Sequence, residues 1–342
     1  MSRFPVTSPQ LVGVRLERWT VEAKLGEGGM GTVWRARDDA GQIAAIKLLR
    51  HELCNTEDLF ARFLQEAQAA SRLGNPHIAQ ILGYGQTPSG QPYTVMEYCD
   101  GPDLLALLER EGPLSWRRAF ALGEQICGAL HDAHAHGIIH RDVKPENFIL
   151  LQGEDGADLI KVLDFGIAKL TDPDLAIVET RTGVSLGTPE YMAPEQGEGL
   201  DFDARIDIYG VGVLLYQLVT GRVPFEGKDE FELMQRHMSE APEPPSERAP
   251  QRRIPTIADA VILQALEKDR EHRYCDMQRF ALSLKSARTR ADSDLSPTKS
   301  AAGSTGGSSS PLGWALLGAL IIFAVALGIG LTLFLTGVVG GP

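Results

Sequence analysis

The run His140-Arg141-Asp142-Val143-Lys144-Pro145-Glu146-Asn147 decides how this chain is read. It sets a carboxylate, an ammonium and an amide on one short stretch, in fixed order. Asp142 is suited to accept the proton of an attacking hydroxyl, or to orient it. Lys144 is suited to neutralise charge on a transferring phosphoryl group, and Asn147 to hold a magnesium ion. Further along stands Asp164-Phe165-Gly166, whose Asp164 offers a second oxygen ligand. A hard cation that bridges phosphates takes one or two such oxygens and keeps several of its waters.

Working upstream, Gly26-Glu27-Gly28-Gly29-Met30-Gly31 is a G-x-G-x-x-G run followed by Val33. Glycines let a backbone turn approach phosphate with no Cβ in the way. A dinucleotide-binding reading requires the glycines to open a helix. Here Thr32 to Arg37 alternates as a strand does, so strand–turn–strand is the reading, against a bare glycine-rich hairpin. Lys47 closes the apolar run Ala45-Ile46-Lys47. An ammonium among aliphatic residues needs a reason to be there. The α and β phosphates supply one, with Glu66 on the following helical pattern as its carboxylate partner. Phe60, Phe63, Leu64, Ala67 and Leu73 mark the apolar face of that helix.

The alternations Val21-Ala23-Leu25 and Val33–Arg37, with the run QIAAIKLL, predict three strands. After Asp103 the chain is mainly helical, most clearly in RRAFALGEQICGALHDAHAHG and DIYGVGVLLYQLV. A small strand-rich half followed by a larger helical half predicts an α+β, two-lobed plan.

The set G-x-G-x-x-G-x-V, A-I-K, H-R-D-V-K-P-E-N and D-F-G, in this order, resembles the eukaryotic-like (Hanks-type) protein kinases. Ala193-Pro194-Glu195 looks like the family's motif closing the activation segment. Asp207 looks like the helix residue that braces the catalytic loop, and Arg273 like the ion-pair partner of Glu195. The resemblance covers roughly residues 19–285. It implies the two-lobed kinase fold, with ATP between the lobes and Mg²⁺ (or Mn²⁺) held by Asn147 and Asp164. It implies catalytic roles for Asp142, Lys144, Lys47 and Glu66. It also implies nucleotide contacts from Leu25, Gly26, Glu27, Gly28, Gly29, Met30, Gly31, Thr32, Val33 and Lys47. The hinge is then expected near Glu97 to Asp100, with Glu97 and Cys99 at the nucleotide and Met96 at the gatekeeper position. Lys144 and the run Gly187-Thr188-Pro189-Glu190-Tyr191 look like the serine/threonine branch, and GTPEYMAPEQ is similar to bacterial members. Between Asp164 and Glu195, Thr180 and Thr182 are the expected autophosphorylation sites. A phosphate there would neutralise Arg141 and order the loop. Thr188 is expected to bond the catalytic Asp and Lys.

The gross numbers fit a folded enzyme. The 342 residues are 43% apolar and 23% charged, a globular balance. A net charge of -12 argues against a nucleic-acid partner, which calls for a basic surface. The four cysteines, Cys54, Cys99, Cys127 and Cys275, form no C-x-x-C pair and are expected to be reduced thiols. His131, His134, His136 and His140 have a metal-like spacing, but the kinase pattern already employs two of them.

The ends differ from the middle. Residues 1–18 are expected to be a flexible lead-in with no secretory h-region, and the Ser- and Gly-rich stretch 286–311 a flexible linker. Residues 312–336 carry no charge and are long enough for one transmembrane helix, followed by a short external tail, 337–342. Lys285, Arg288, Arg290 and Lys299 precede the span and no Lys or Arg follows it, so the kinase domain is expected in the cytoplasm. A single-pass tether in a bacterial inner membrane is the resulting expectation, with no external receptor domain. Protein substrates are the expected partners, together with a homodimer for trans-autophosphorylation. Two rival readings are a membrane-anchored pseudokinase scaffold, which would carry a broken Lys, Asp or Asn, and a small-molecule phosphotransferase, which would lack the activation segment.

Overall fold

A computed structural model of the chain describes residues 11–28, 31–49, 65, 67–165, 189–197 and 201–295. Residues 15 to 97 build one antiparallel sheet from β1 (Arg15–Leu16), β2 (Trp19–Gly28), β3 (Gly31–Asp38), β4 (Ile43–Leu49), β5 (Ile81–Gln86) and β6 (Pro92–Glu97), in the order β1-β2-β3-β4-β6-β5. Period-two patterning explains the inner strands. In β4, Ala44, Ile46 and Leu48 are at most 1% exposed and join Trp19, Val21 and Trp34 in the core of this lobe. Lys47, one position out of phase, leaves that core.

The strands expected from Val21, Val33 and QIAAIKLL are β2, β3 and β4. Strands β5 and β6 were not legible in advance. Residues 93–96 of β6 are buried on both faces, so no alternation marks them, and Gly83 and Gly85 dilute the pattern of β5. The flexible lead-in expected over 1–18 is corrected from residue 11 onward. β1 pairs with β2 through Arg15↔Thr20 and Leu16↔Trp19, and Leu16 is buried in the lobe's core. Burial of one leucine is worth about 1.5–3 kcal/mol, enough to hold a two-residue strand in register.

The second lobe is helical: α1 (Leu104–Glu111), α2 (Trp116–Ala135), α3 (Pro194–Gly197), α4 (Arg205–Thr220), α5 (Glu230–Ser239), α6 (Pro245–Arg248), α7 (Thr256–Ala265) and α8 (Met277–Leu295), with the hairpin β7 (Phe148–Gln152) and β8 (Asp158–Val162) between α2 and α3. Side chains cap the first two helices. Asp103 accepts from the N–H of Ala106, and Ser115 from that of Arg118. α4 is buried nearly all round, which is why its sequence is apolar without a polar face. It ends at Gly221, whose φ of 85° closes the helix in the left-handed region.

α8 continues beyond the boundary drawn at residue 285. Ala287 is 1% exposed, and the Arg288 guanidinium bonds both oxygens of Glu124 on α2, at 2.7 and 3.2 Å. A partner on another helix, which composition does not reveal, holds this turn. Among the described residues no helix is long and apolar enough to cross a membrane. The expected span 312–336 and the tail 337–342 lie outside them, as does the linker from residue 296.

Candidate active site

The loop between α2 and β7 carries Asp142, Lys144 and Asn147, and its shape is imposed by a residue distant in sequence. Asp207, on the first turn of α4, is 1% exposed. Its carboxylate accepts from the N–H of His140 at 2.8 Å, the N–H of Arg141 at 2.9 Å and Nε2 of His134 at 2.7 Å. Burial opposes its charge, but the bond from His134 and the nearby imidazole and amide donors hold the carboxyl below the ordinary carboxylate range. These bonds keep Arg141 at φ 62°, a left-handed conformation that costs a non-glycine residue about 1–3 kcal/mol. His134 is thus spent on bracing the loop, and His136 bonds the Asp132 carbonyl instead.

His140 is fully buried and fixes the other side of the loop. Its Nδ1 accepts from the N–H of Asp142 at 3.2 Å, so the proton lies on Nε2, which donates to the Leu163 carbonyl at 2.9 Å. Burial holds this imidazole below its ordinary range, against the pull of Asp207, Asp142 and Asp164. The ring stacks on Phe148 and lies 5.1 Å from Phe165. One residue therefore ties the catalytic loop to the strand end that delivers Asp164.

At the centre, Lys144 Nζ is 3.3 Å from Asp142 Oδ2. Asn147 Nδ2 donates to the Asp142 carbonyl at 2.6 Å and to Asp142 Oδ2 at 3.1 Å. Both bonds of this amide use its nitrogen, which leaves Oδ1, a hard oxygen donor, for a cation. The Asn147 carbonyl accepts from the N–H of Leu163 at 2.8 Å, bringing Asn147 beside Asp164. Asp164 is itself in the left-handed region at φ 45°. From the opposite lobe, Lys47 Nζ reaches Asp164 Oδ2 at 2.9 Å. An amide oxygen and a carboxylate are the donor set that Mg²⁺ takes, so the residues present fit that ion.

The glycine run forms the β2–β3 hairpin, with Gly26 opposite Val33, Glu27 opposite Thr32 and Gly28 opposite Gly31. Its glycines serve different ends. A Cβ on Gly31 would fall 1.9 Å from the Leu48 carbonyl oxygen, so the close approach of β4 demands glycine there. A Cβ on Gly26 or Gly28 would meet nothing within 4 Å. Packing among the described residues therefore leaves room for a Cβ at both positions, and the bare backbone there suits the close approach of a phosphate chain. Leu25, on the same strand, is 45% exposed beside them. Gly29, Met30 and Glu66 lie outside the described residues, as do Thr180, Thr182 and Thr188.

Met96, the next-to-last residue of β6, stands at the back of the cleft and bounds a small apolar gap with Ala79, Ile81, Asp164 and Phe165. Next to it, Glu97 and Cys99 begin the crossing to the second lobe. Burial, with the Glu97 charge, pushes the Cys99 thiol up to about 11. Cys99, Cys127 and Cys275 are free thiols, and Cys54 lies outside the described residues. At the far end of the site, Arg273 meets Glu195 through two parallel bonds of 2.7 and 2.8 Å. One contact that sequence reasoning missed is the ion pair of Lys161 with Glu97, at 2.8 Å. Its only sequence signal is a lysine between the buried Ile160 and Val162.

This arrangement is a two-lobed fold in which the glycine hairpin and Lys47 of one lobe face Asp164 and the Asp142 loop of the other. The chain belongs to the protein kinase domain family, whose profile matches residues 19–282. Among its relatives, the serine/threonine-protein kinase pkn3 of Myxococcus xanthus is 43% identical over 302 residues, 87% of this chain and 55% of that protein. The serine/threonine-protein kinase PknB of Mycolicibacterium smegmatis is 39% identical over 274 residues, 79% of this chain and 42% of that protein. The chain therefore spans about half the length of the relatives it matches. The crystal structure of the Mycobacterium tuberculosis PknI kinase domain superposes with a TM-score of 0.64 at 27% identity, covering 81% of this chain and 98% of that one.

Proposed function

We propose that this chain is a protein serine/threonine kinase that transfers the γ-phosphate of ATP to Ser and Thr hydroxyls of proteins. The observation that carries the reading is the Asp142 carboxylate, with Lys144 Nζ at 3.3 Å and Asn147 Nδ2 at 3.1 Å on one side of the cleft and the Lys47–Asp164 pair at 2.9 Å across it. Catalysis of this kind is mostly positioning and charge neutralisation. Asp142 takes or directs the hydroxyl proton. Lys144 stands where negative charge develops on the transferring group, and Lys47 holds the phosphate chain under the hairpin. Asn147 and Asp164 would hold Mg²⁺, which would supply positive charge against the phosphate oxygens. The intact Lys47, Asp142 and Asn147 weigh against a pseudokinase scaffold.

The finer parts of the proposal are regulatory. Thr180 and Thr182 are the autophosphorylation sites, residues 312–336 tether the kinase to a membrane with its catalytic domain on the cytoplasmic face, and two tethered copies phosphorylate one another. Tethering raises the local concentration for that reaction.

The test incubates the purified full chain with γ-labelled ATP and Mg²⁺, with and without a generic protein substrate, beside Asp142→Asn. Labelled protein in the wild type and none in the variant, with matching thermal melts, supports the reading. Full activity in Asp142→Asn overturns the assignment of Asp142. Label passing only to small molecules overturns the protein-kinase reading. Phosphopeptide mapping of active enzyme that finds neither Thr180 nor Thr182 modified overturns the loop assignment.

A further inference from the structure

Lys161 has no part in the phosphate chemistry above, yet its ammonium is nearly buried. It lies on β8, three positions before Asp164, and its side chain is 13% exposed. Nζ sits 2.8 Å from Oε2 of Glu97, the last residue of β6. The pair thus joins the strand that leads, two residues beyond its end, to Asp164 with the segment that begins the crossing between lobes. The same Glu97 oxygen accepts from the N–H of Gln80 at 3.2 Å, and the Glu97 N–H donates to the Gln80 carbonyl at 2.8 Å.

The residues just before Gln80 are fastened to β8 in turn. His77 accepts from the N–H of Val162 at 2.7 Å through its carbonyl, and its Nδ1 donates to the Ile160 carbonyl at 3.0 Å. The N–H of Ala79 donates to the Val162 carbonyl at 3.0 Å. Three segments from different parts of the chain therefore meet at one junction: residues 77–80, the end of β6, and β8. Backbone bonds supply two of its three sides. The third side, β6 against β8, is closed by Lys161 and Glu97.

We propose that Lys161 is a positioning residue for nucleotide binding, whose ion pair with Glu97 fixes the distance between the hinge backbone and Asp164. A nucleotide in this cleft must touch both ends at once, its base at Glu97–Cys99 and its phosphates at the cation held by Asp164. An error in that span is felt as weaker binding, because each end has to be drawn into place at the cost of contacts. The pair belongs to the junction of β6 with β8 and residues 77–80, not to the group formed by Asp142, Lys144 and Asn147. Its loss therefore loosens the span without removing any group from the reacting centre. The inference rests on the kinase reading given above.

The experiment uses the full chain and three variants: Lys161→Met, Glu97→Gln and the double. ATP dependence of protein phosphorylation gives KM and kcat, and ATP with Mg²⁺ is titrated directly for Kd. Lys161→Met is expected to raise KM and Kd for ATP about fivefold, the size of one partly exposed ion pair, with kcat changed less than about twofold. Glu97→Gln is expected to act in the same direction, the double variant no worse than the worse single, and Lys161→Arg to restore most of the affinity. Unchanged KM and Kd in Lys161→Met, additive effects in the double variant, or a rise in kcat would each overturn the proposal. If Lys161→Met melts far below wild type, Glu97→Gln and Lys161→Arg decide by the same split. Wild-type protein that binds ATP but phosphorylates nothing sinks the kinase reading, while the Kd comparison still tests Lys161.

Discussion

Replacing Arg273 by Met removes a fully buried guanidinium that makes five hydrogen bonds in the helical lobe. The Arg273 side chain is 0% exposed and that of Glu195 is 8% exposed. Besides its two bonds to Glu195, the guanidinium donates to the carbonyls of Glu267 at 2.8 Å, Lys268 at 3.0 Å and Arg205 at 3.3 Å, and it lies 5.0 Å from the centre of the Tyr209 ring. Methionine keeps much of the volume and none of these bonds. Glu195 is then a buried carboxylate without its cation, and three carbonyls lose a donor. Removing one member of a buried pair costs about 3–5 kcal/mol, most of it the desolvation of the charge left behind. Urea unfolding of the full chain should show a loss of that size with an unchanged slope, and at about 2–4 °C per kcal/mol the melting temperature should fall steeply. Adding Glu195→Gln to Arg273→Met should recover part of the loss, because the stranded charge is gone. Arg15→Ala, which breaks the exposed Arg15–Asp39 pair, should change little. A loss in Arg273→Met below about 1 kcal/mol, the level of a surface pair, would refute the reasoning.

Three further outcomes are expected. Gly31→Ala forces the hairpin away from Leu48 and lowers the melting temperature, whereas Gly28→Ala leaves the melt unchanged and weakens ATP binding; equal melts for the two variants would contradict the assignment of their roles. Asp207 has a carboxyl held below its ordinary value, so it stabilises the fold above its unfolded pKa, and that contribution is lost as pH falls through the folded value. Asp207→Asn should therefore be less stable at neutral pH and show a shallower acid limb in thermal melts, and a limb as steep as wild type would count against it. The Cys99 thiol, pushed up to about 11, should be alkylated by iodoacetamide far more slowly at pH 8 than the exposed Cys275 and should speed up as pH rises toward that value, as peptide mass spectrometry would read. Equal rates for the two cysteines at pH 8 would refute it.

The candidate site was legible to the extent that its chemistry is local. Asp142, Lys144 and Asn147 share one loop and meet within a few ångströms, as the chemistry proposed for them requires, and that spacing is written in one short run of residues. Strands β2 to β4 and helix α4 could be read because burial on one face, or on all faces, leaves a pattern at short range. Strand β6 could not, since burial on both faces erases the alternation, and residues 11–18 were misjudged because a two-residue strand carries no periodicity at all.

By itself, then, the sequence determined which groups are the candidates for phosphate, metal and proton, their order along the chain, and the division into a strand-rich and a helical lobe. Only the tertiary structure decided how those groups are held. Asp207 folds the catalytic loop with three hydrogen bonds, His140 bridges that loop to Leu163, Glu124 holds α8 at Arg288, and Lys161 closes the junction at Glu97. Each of these depends on partners at least 23 residues apart. Periodicity and motif spacing report on neighbours along the chain, whereas a buried polar group is satisfied by whatever the fold brings within about 3 Å of it.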